Sequence, residues 1–585
     1  MTTRYMSSDL DFEFAGGTAK IRRREDSIEI ALPYKAAFGG GERYNTVNLK
    51  GHTINVAVEA KFCEQGEKTY CPAPFFFTDS GFGLYAATGA VTRFAFGEGV
   101  VHVEIPRGTE LTLFSGTPQT IIAEYMSLFG GAVLPPEWAF APWISTHHWD
   151  TQKKAERQIE MLKEYDFPAG VIVLEAWSDE ATFYIWNGAE YQPKSNGAFA
   201  YDDFAFSPNG AWPNPKAMIE RLHAAGLRLV LWQIPVYKKL GDGERGNEQN
   251  ALDRANAVRQ GLCVARSDGY PYTIPDGNWF AGSMIPDFSN PETKRDWFRK
   301  RQYLLDIGVD GFKTDGGEFI YCDDLQFHSG ANGANMRNAY AQSYTAAYTE
   351  FLPSADKILF SRAGYAGQHT TPILWAGDQK STFAELRAQL RAGLSAAMSG
   401  MIFWGFDIGG FAGKLPGGDL YLRATQTACF CPIMQWHSEP DGGQFKELMA
   451  TNEANNERSP WNIASASGDP MLLERLRFYY KLRLELLPYI RAEAAKCAKE
   501  NRPMIYPLAY AHMDDENTHG IDDEFMLGDD LLVAPILDEG AAGREVYLPS
   551  GNWQSYWSGE RHTGRAVIRF AHDWHIPVFR KIASA

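Results

Sequence analysis

The segment from Trp138 to His437 alternates short apolar runs with amphipathic runs, and no other feature of the chain restricts the fold as strongly. Short apolar runs indicate buried strands, and apolar residues spaced i, i+3, i+4 indicate helices that cover a sheet. The predicted helices lie in TQKKAERQIEMLKEYDFP, PKAMIERLHAAG, PETKRDWFRKRQYLLDIG and FAELRAQLRAGLSAAMSG. The predicted strands end near Ser145, Trp177, Pro235, Asp315, Ala363, Asp378, Gly410 and His437. Eight βα units predict an α/β fold, a closed (β/α)8 TIM barrel, with a doubly wound open sheet as the alternative.

Both flanks of this segment have a different pattern. Residues 1–135 carry short alternating segments such as KIRRREDSIEIALP and VVHVEIP, which predict an N-terminal β-sandwich. Residues 136–500 form the predicted barrel, with long insertions after strand two (178–212) and strand three (237–288). Residues 501–585 return to short strands, which predicts a small C-terminal β-domain.

Composition excludes several classes of function. The net charge of -16 repels phosphate backbones, so nucleic acid is not an expected partner. No long uncharged apolar stretch and no secretory signal are visible, and the seven cysteines lack paired spacing, so we expect a cytoplasmic protein that binds no membrane. We expect no cofactor and no metal, because HxH and HExxH spacings are absent. Assembly of the chain into a homo-oligomer is compatible with this composition.

Polar residues stand where the predicted barrel strands end. They are Glu175, Gln233, Asp315, Arg362, Asp378, Asp407 and His437. A single acid at a strand end is usually structural, as a helix cap or a salt-bridge partner. Several acids that converge with an arginine and a histidine are electrostatically costly, which favours a catalytic centre. Glycoside cleavage needs two carboxyl groups, so an oligosaccharide or glycoside is the expected substrate.

Asp315 and Asp378 fit the two carboxyl roles best. Lys313 lies two residues before Asp315, on the same predicted strand face, where its charge would keep a nucleophile ionised. The glycine pair after Asp315 would let a sugar ring approach closely. Trp375 would give Asp378 the partly apolar surroundings of a general acid. Glu318 is predicted to be a helix N-terminal acid and Asp310 to be structural.

These motifs resemble glycoside hydrolase family 31, which includes α-glucosidases and α-xylosidases. The similar segments are GGGERYN, PFFFTDSGFGLY, DGFKTDGGE, FSRAGYAGQHTTPILWAGDQ, FWGFDIGGF, FCPIMQWHSE and FMLGDDLLVAPIL. The resemblance implies Asp315 as the nucleophile and Asp378 as the general acid/base. It also implies that Arg362, Trp404, Asp407 and His437 bind the substrate; Glu175, Trp177, Gln233, Lys313 and Trp375 complete the predicted binding set.

Two positions depart from the family pattern. Glu175 stands where many α-glucosidases have an Asp, and Gln435 stands where many members have an Arg. The segment WAGDQ also resembles the sulfoquinovosidase branch, but Asp179 and Glu180 would repel a sulfonate. Trp186 in the same loop is predicted to be a stacking platform for a sugar.

The sequence therefore predicts a retaining, exo-acting α-glycosidase that releases a terminal α-linked sugar, as an α-glucosidase does. The alternatives within the family are an α-xylosidase, an α-galactosidase, a sulfoquinovosidase or an α-transglycosylase. Outside it, the alternatives are a metal-dependent barrel hydrolase and a non-catalytic carbohydrate-binding protein. The last would be expected to lose one of the two acids, and both are present.

Overall fold

The computed structural model describes residues 2–5, 9–195, 198–241, 247–352, 356–439, 456–571 and 574–583. Two antiparallel sheets come first and pack around a shared apolar core. The first sheet has the order Thr2–Tyr5, Glu110–Ser115, Phe82–Ala87, Pro72–Thr78 and Ala37–Gly41. The second has the order Leu10–Phe14, Gly17–Arg23, Ser27–Ala31, Val100–Glu104, Thr92–Phe96 and Thr53–Val56. The helix Pro118–Ser127 leads from these sheets toward the barrel.

Eight parallel strands form the central sheet, and this confirms the predicted barrel. Strands one to eight are Trp143–Thr146, Val171–Leu174, Arg228–Gln233, Gly311–Thr314, Ile358–Ser361, Ile373–Trp375, Trp404–Gly405 and Gln435–Trp436. Neighbours follow chain order, and strand one pairs with strand eight. The backbone N–H of Ile408 donates to the carbonyl of Gln435 at 2.9 Å, which joins the chain after strand seven to strand eight and nearly closes the barrel.

The strands are shorter than the sequence predicts. Asp315, Asp378, Asp407 and His437 all lie just after a strand rather than inside one. The segment ACFC, predicted to belong to strand eight, starts inside the preceding helix Gly418–Cys429. These side chains therefore stand on short loops at the carboxyl ends of the strands, the face on which barrel enzymes build their sites.

Helices cover the outside of the barrel. They are Gln152–Tyr165, Pro215–Ala224, Glu248–Gln260, Pro291–Arg299, Gln302–Asp306, Gly333–Met336, Ala339–Phe351, Phe383–Ala397, Gly418–Cys429, Pro460–Ser467 and Leu472–Glu500. The predicted helix PETKRDWFRKRQYLLDIG is interrupted at Arg301, which is buried and stacks on Trp297 at 3.7 Å. Thr382 caps Phe383–Ala397 by accepting from the N–H of Glu385, so Asp378 is not needed as a cap.

The insertions and the C-terminal strands complete the fold. Small strand pairs, Ala189–Glu190 with Ala205–Phe206 and Ala265–Arg266 with Leu325–Gln326, lie beside the barrel mouth. The C-terminal six-stranded sheet has the order Ile505–Pro507, Phe525–Leu527, Leu531–Val533, Val578–Ile582, Asn552–Ser555 and Arg561–Thr563; Gly543–Leu548 pairs separately with Ala566–Ala571. Across the described residues, no helix has both the length and the apolar character needed to cross a bilayer.

Candidate active site

A cavity of about 460 Å³ opens at the carboxyl ends of the barrel strands. Seven of the eight strands contribute a lining residue: His147, Glu175, Trp232, Lys313 with Asp315, Arg362, Asp378 and His437. Residues 58–62, Lys68 and Tyr70, in the connection between the N-terminal strands Thr53–Val56 and Pro72–Thr78, form one wall, and residues 277–280 of the second insertion form another. The sequence-predicted acids Asp315 and Asp378 therefore share one cavity.

Asp315 receives a donor on each of its carboxylate oxygens. Trp232 Nε1 donates to Oδ2 at 2.9 Å, and the N–H of Gly316 donates to Oδ1 at 2.8 Å. Arg362 Nη1 lies 3.0 Å from the same Oδ1. These contacts hold the carboxylate in one orientation, as a nucleophile needs.

Arg362 connects the two acids. Its Nη1 lies 3.8 Å from Oδ2 of Asp378, and its Nε lies 3.2 Å from Glu318. The guanidinium also stacks over the Tyr70 ring at 4.6 Å. Because the contacts of Nη1 with the two acids are 3.0 and 3.8 Å long, Oδ1 of Asp315 and Oδ2 of Asp378 lie at most about 6.8 Å apart. Glycosidases act on one glycosidic bond with two carboxyl groups roughly 5–9.5 Å apart, and this bound is compatible with such a pair.

Asp378 differs from Asp315 in its surroundings. Burial and, to a smaller extent, the charge of Asp315 raise the pKa of Asp378, Arg362 lowers it, and the net pKa is about 8. Its neighbour Gly377 has φ of 70°, and an added Cβ there would come within 2.4 Å of the Tyr70 ring. The tyrosine thus packs directly against the backbone that carries this carboxyl group. A carboxyl group that stays protonated at neutral pH suits a general acid.

Glu175 is the centre of a second buried network. Lys313 Nζ lies 2.6 Å from Oε1, His437 Nε2 lies 3.1 Å from Oε1, and His147 Nδ1 lies 3.2 Å from Oε2. Burial opposes the ionisation of Glu175, but His437 and Lys313 hold its pKa well below the usual range. Ser145 Oγ lies 2.7 Å from Nδ1 of His437 and fixes the ring's orientation. The network presents two imidazoles and an ammonium group to the cavity.

Four of the predicted binding residues lie behind the cavity wall instead of lining it. Trp177 donates to the carbonyl of Trp232, and Gln233 bonds to the carbonyl of Phe183 and to Arg301. Trp375 lies under Lys313 at 4.6 Å from the ring centre, and Trp404 donates to Glu42 at 2.9 Å. All four are buried, so the structure gives them a supporting position.

Asp407 is also fully buried and is not part of the cavity lining. Its Oδ1 accepts from Gln435 Nε2 at 2.6 Å, and its Oδ2 is buried without a hydrogen-bond partner among the described residues. Asp407 is close enough to raise the pKa of both Lys313 and Asp378. Gln435, which departs from the family pattern, therefore orients a predicted substrate-binding acid.

Three local expectations differ from the structure. Glu318 begins no helix; both its oxygens lie 3.2–3.3 Å from Arg362. Lys313 pairs directly with Glu175, and Arg362 takes the place beside Asp315.

A Cβ at Gly316 would come within 2.6 Å of Ile234, so this glycine makes room for the core and not for a sugar. Asp310 bonds to His223 and to the N–H of Leu229, a structural arrangement.

The loop after strand two also differs from expectation. Trp186 is fully buried between Trp177 and Trp212, with ring centres about 5 Å apart, so it is not a stacking platform. The carboxylate of Asp179 forms hydrogen bonds within the protein, because it accepts from Ala181, Thr182 and Asn247. Glu180 alone of the two acids lines the cavity.

Sequence reasoning missed several cavity residues. Trp232 sits inside an apolar strand and looks like core by composition. Tyr70 comes from a connection between two N-terminal strands and Trp279 from the second insertion, and no local pattern links either to the barrel. His147 follows strand one as the other polar residues follow their strands, so the strand-end rule could have found it.

The N-terminal sheets are tied to the chain beside Asp378 through a buried carboxyl group. Glu42 Oε1 accepts from Trp404 Nε1, and Glu42 Oε2 lies 3.1 Å from Tyr44 Oη, which donates to the carbonyl of Ala376 at 2.7 Å. A hydroxyl group has a single hydrogen, so both Tyr44 contacts are satisfied when Glu42 carries a proton. Burial raises the pKa of Glu42 to about 7.

Comparisons with known proteins agree with this geometry. Residues 132–493 match the family model described as the TIM-barrel domain of glycosyl hydrolases family 31, and residues 501–584 match that family's C-terminal domain. A 1,3-alpha-isomaltosidase of Kribbella flavida is 36% identical over 97% of this chain and 80% of its own length.

Two further similarities extend over nearly the whole chain. An isomaltosyltransferase of Sporosarcina globispora is 37% identical over 94% of this chain, which spans about half (50%) of that enzyme. A cycloalternan-degrading enzyme of Trueperella pyogenes, solved in complex with isomaltose, superposes with a TM-score of 0.90 at 31% identity. This match covers 100% of this chain and 86% of that one.

Proposed function

This chain belongs to glycoside hydrolase family 31, and we propose that it is a retaining enzyme that cleaves α-glucosidic bonds through a covalent intermediate on Asp315. The observation that carries the proposal is the pair of carboxyl groups joined by Arg362, one held by three donors and the other with a raised pKa. A carboxyl group that keeps its proton at neutral pH suits the general acid, and the carboxylate oriented by three donors suits the nucleophile.

The proposed reaction has two steps. Asp315 attacks the anomeric carbon while Asp378 gives its proton to the glycosidic oxygen, so the leaving group departs as an alcohol. Asp378, now a carboxylate, takes a proton from an incoming water or sugar hydroxyl, which attacks the glycosyl ester and frees Asp315. The second step returns to Asp378 a proton, taken from the water or sugar hydroxyl, so both acids end in their starting forms.

The remaining groups of the site are proposed to hold the sugar ring. Arg362 and His437 line the cavity beside the reacting centre, and Glu175 fixes the orientation of His437 and Lys313. Asp407 is buried behind the cavity lining, so its proposed contribution is indirect, through its hydrogen bond with Gln435 and its charge near Lys313.

The relatives favour an isomaltosyl unit as the transferred group. The two curated relatives described above are named for acting on isomaltosyl groups, and the matching solved structure holds isomaltose. We therefore propose that this enzyme recognises α-glucan ends that carry an isomaltosyl unit. One relative is a transferase and the other a hydrolase, so transfer to a sugar acceptor is the second candidate outcome for the same intermediate.

A product analysis tests the proposal. The enzyme is incubated with 4-nitrophenyl α-glycosides of glucose, xylose, galactose, sulfoquinovose and isomaltose, and the first-formed sugar is followed by proton NMR. We expect release of the α-anomer from the glucose-based donors. Initial release of the β-anomer, or full activity of Asp315→Ala, would contradict the mechanism.

A further inference from the structure

The order of the barrel strands gives the cavity a direction. Strand two, which ends before Glu175, lies opposite strand six, which ends before Asp378, because the eight strands follow chain order around the barrel. Under the function proposed above, the leaving group lies beside Asp378. The far end of the donor must then point toward strand two and the loop that follows it.

That loop places Glu180 in the cavity lining beyond Glu175. Glu180 has φ of 55°, a left-handed conformation that is uncommon for a residue with a side chain. Ser178 Oγ accepts from its N–H at 3.3 Å, and Lys238 Nζ donates to its carbonyl at 2.8 Å. Both contacts hold the backbone in the conformation that directs this residue to the cavity. Strained backbone of this kind concentrates at ligand sites.

The side of the cavity opposite Glu180 is aromatic. Phe280 lines the cavity, also has positive φ (58°), and packs edge-on against Phe183, whose φ is 60°. Trp279 packs beside Phe280 with ring centres 4.9 Å apart and lines the same space. Aromatic faces next to carboxylate and imidazole groups suit a neutral sugar, whose C–H surface is apolar and whose hydroxyls form hydrogen bonds.

His147 connects the part of the cavity around Glu180 and Phe280 to the reacting centre at Asp315 and Asp378. Its Nδ1 lies 3.2 Å from Glu175, so Nε2 is the ring nitrogen available to a ligand in the cavity that His147 lines. Glu180 is solvent-exposed, so the cavity does not close at this end. A pocket for a single terminal sugar would need a closed end here, whereas an open end admits a second ring.

We propose that Glu180, His147 and Phe280 form a second donor subsite, which binds the non-reducing sugar of a disaccharide unit whose other sugar lies between Asp315 and Asp378. This inference rests on the proposed function and adds the residues that select a two-sugar donor over a one-sugar donor. The insertions after strands two and three supply Glu180 and Phe280, so a specificity role accounts for residues that the barrel itself does not need.

The test compares two donors with the same leaving group, 4-nitrophenyl α-glucoside and 4-nitrophenyl α-isomaltoside. Glu180→Gly preserves the left-handed backbone and removes the carboxylate, and Glu180→Gln preserves the shape. The matched control is Glu190→Gln, an exposed acid of the same insertion that does not line the cavity. We expect Glu180→Gly to lower kcat/KM at least tenfold on the isomaltoside and less than threefold on the glucoside, with no change for Glu190→Gln.

Equal losses on both donors, or no loss on either, would overturn the subsite. If the wild-type enzyme cleaved neither donor, the proposed function would fail, and the subsite would be judged by calorimetric titration of isomaltose into Asp315→Ala. A Kd weakened at least tenfold by the added Glu180→Gly substitution would support the subsite in that case. An unchanged Kd would reject it.

Discussion

The indole Nε1 of Trp232 lies 2.9 Å from Oδ2 of Asp315, so a residue of strand three orients the acid that follows strand four. Arg362 and the backbone of Gly316 occupy the other oxygen. Asp315 is therefore held from both sides before any substrate arrives. Preorganised donors of this kind do not need to rearrange during the reaction, which is a main source of catalytic power.

Removing the indole donor should slow the reaction without unfolding the protein. Trp232→Phe keeps an aromatic ring and deletes one hydrogen bond to a charged group, which is worth about 1.5–3 kcal/mol. We expect kcat/KM on 4-nitrophenyl α-isomaltoside to fall by about 10- to 100-fold. Trp553→Phe is the matched control, since it deletes the indole bond to Pro549 in the C-terminal sheet. A similar kinetic loss in both variants would show that the effect is not local.

Loss of the general acid should depend on the leaving group. Asp378→Ala removes the proton donor, whose contribution is typically about 10²–10⁴-fold. We expect a loss of that size on an unactivated disaccharide donor and a much smaller loss in the glycosylation step with a 2,4-dinitrophenyl leaving group, which departs without protonation. Pre-steady-state release of the phenol separates this step from the next. Equal losses on the two donors would remove Asp378 from this role.

The raised pKa of Asp378 predicts an alkaline limit to activity. Burial raises this pKa to about 8, so the proton is present at pH 7 and is lost as the pH rises through 8. We expect kcat/KM on an unactivated donor to be level near pH 7 and to fall about tenfold per pH unit well above 8. In Asp378→Asn, measured with the dinitrophenyl donor, this alkaline limb should disappear. Its persistence in the variant would assign the limb to another group.

The buried carboxyl group of Glu42 should destabilise the protein as the pH rises. Its pKa is about 7 in the folded state, above the unfolded value of 4.5, so folding favours the neutral form. The resulting stability is complete below pH 4.5 and is lost as the pH rises through 7. Glu42→Gln donates to Tyr44 and accepts from Trp404 without titrating.

We expect the melting temperature of Glu42→Gln to match the wild type at pH 4 and to exceed it at pH 8, where the difference in free energy is about 3 kcal/mol at most. Thermal melts monitored by tryptophan fluorescence across this pH range provide the comparison. A variant that melts lower than the wild type by the same amount at every pH would mean that Glu42 is ionised in the folded protein.

Local sequence patterns predicted most of the barrel and part of the site. Apolar runs located all eight strands, and most of the polar residues at their ends reach a common cavity because parallel strands end on one face. Gln233 and Asp407 are the exceptions and lie behind the lining. Lys313 was predicted to lie on the same strand face as Asp315, and both line the cavity, but its ammonium group pairs with Glu175 and Arg362 lies beside Asp315. Tyr70 could not be predicted, since it reaches the site from a connection between two strands of the N-terminal sheets.

Trapping the intermediate tests the assignment of Asp315 most directly. The protein is treated with a 5-fluoro-α-glucosyl or 5-fluoro-α-isomaltosyl fluoride, which slows hydrolysis of a glycosyl-enzyme, and is then digested and analysed by mass spectrometry. We predict one added glycosyl group on the peptide that contains Asp315, and none in Asp315→Ala. A label on another residue, or turnover of these donors without any label, would contradict a covalent mechanism through Asp315.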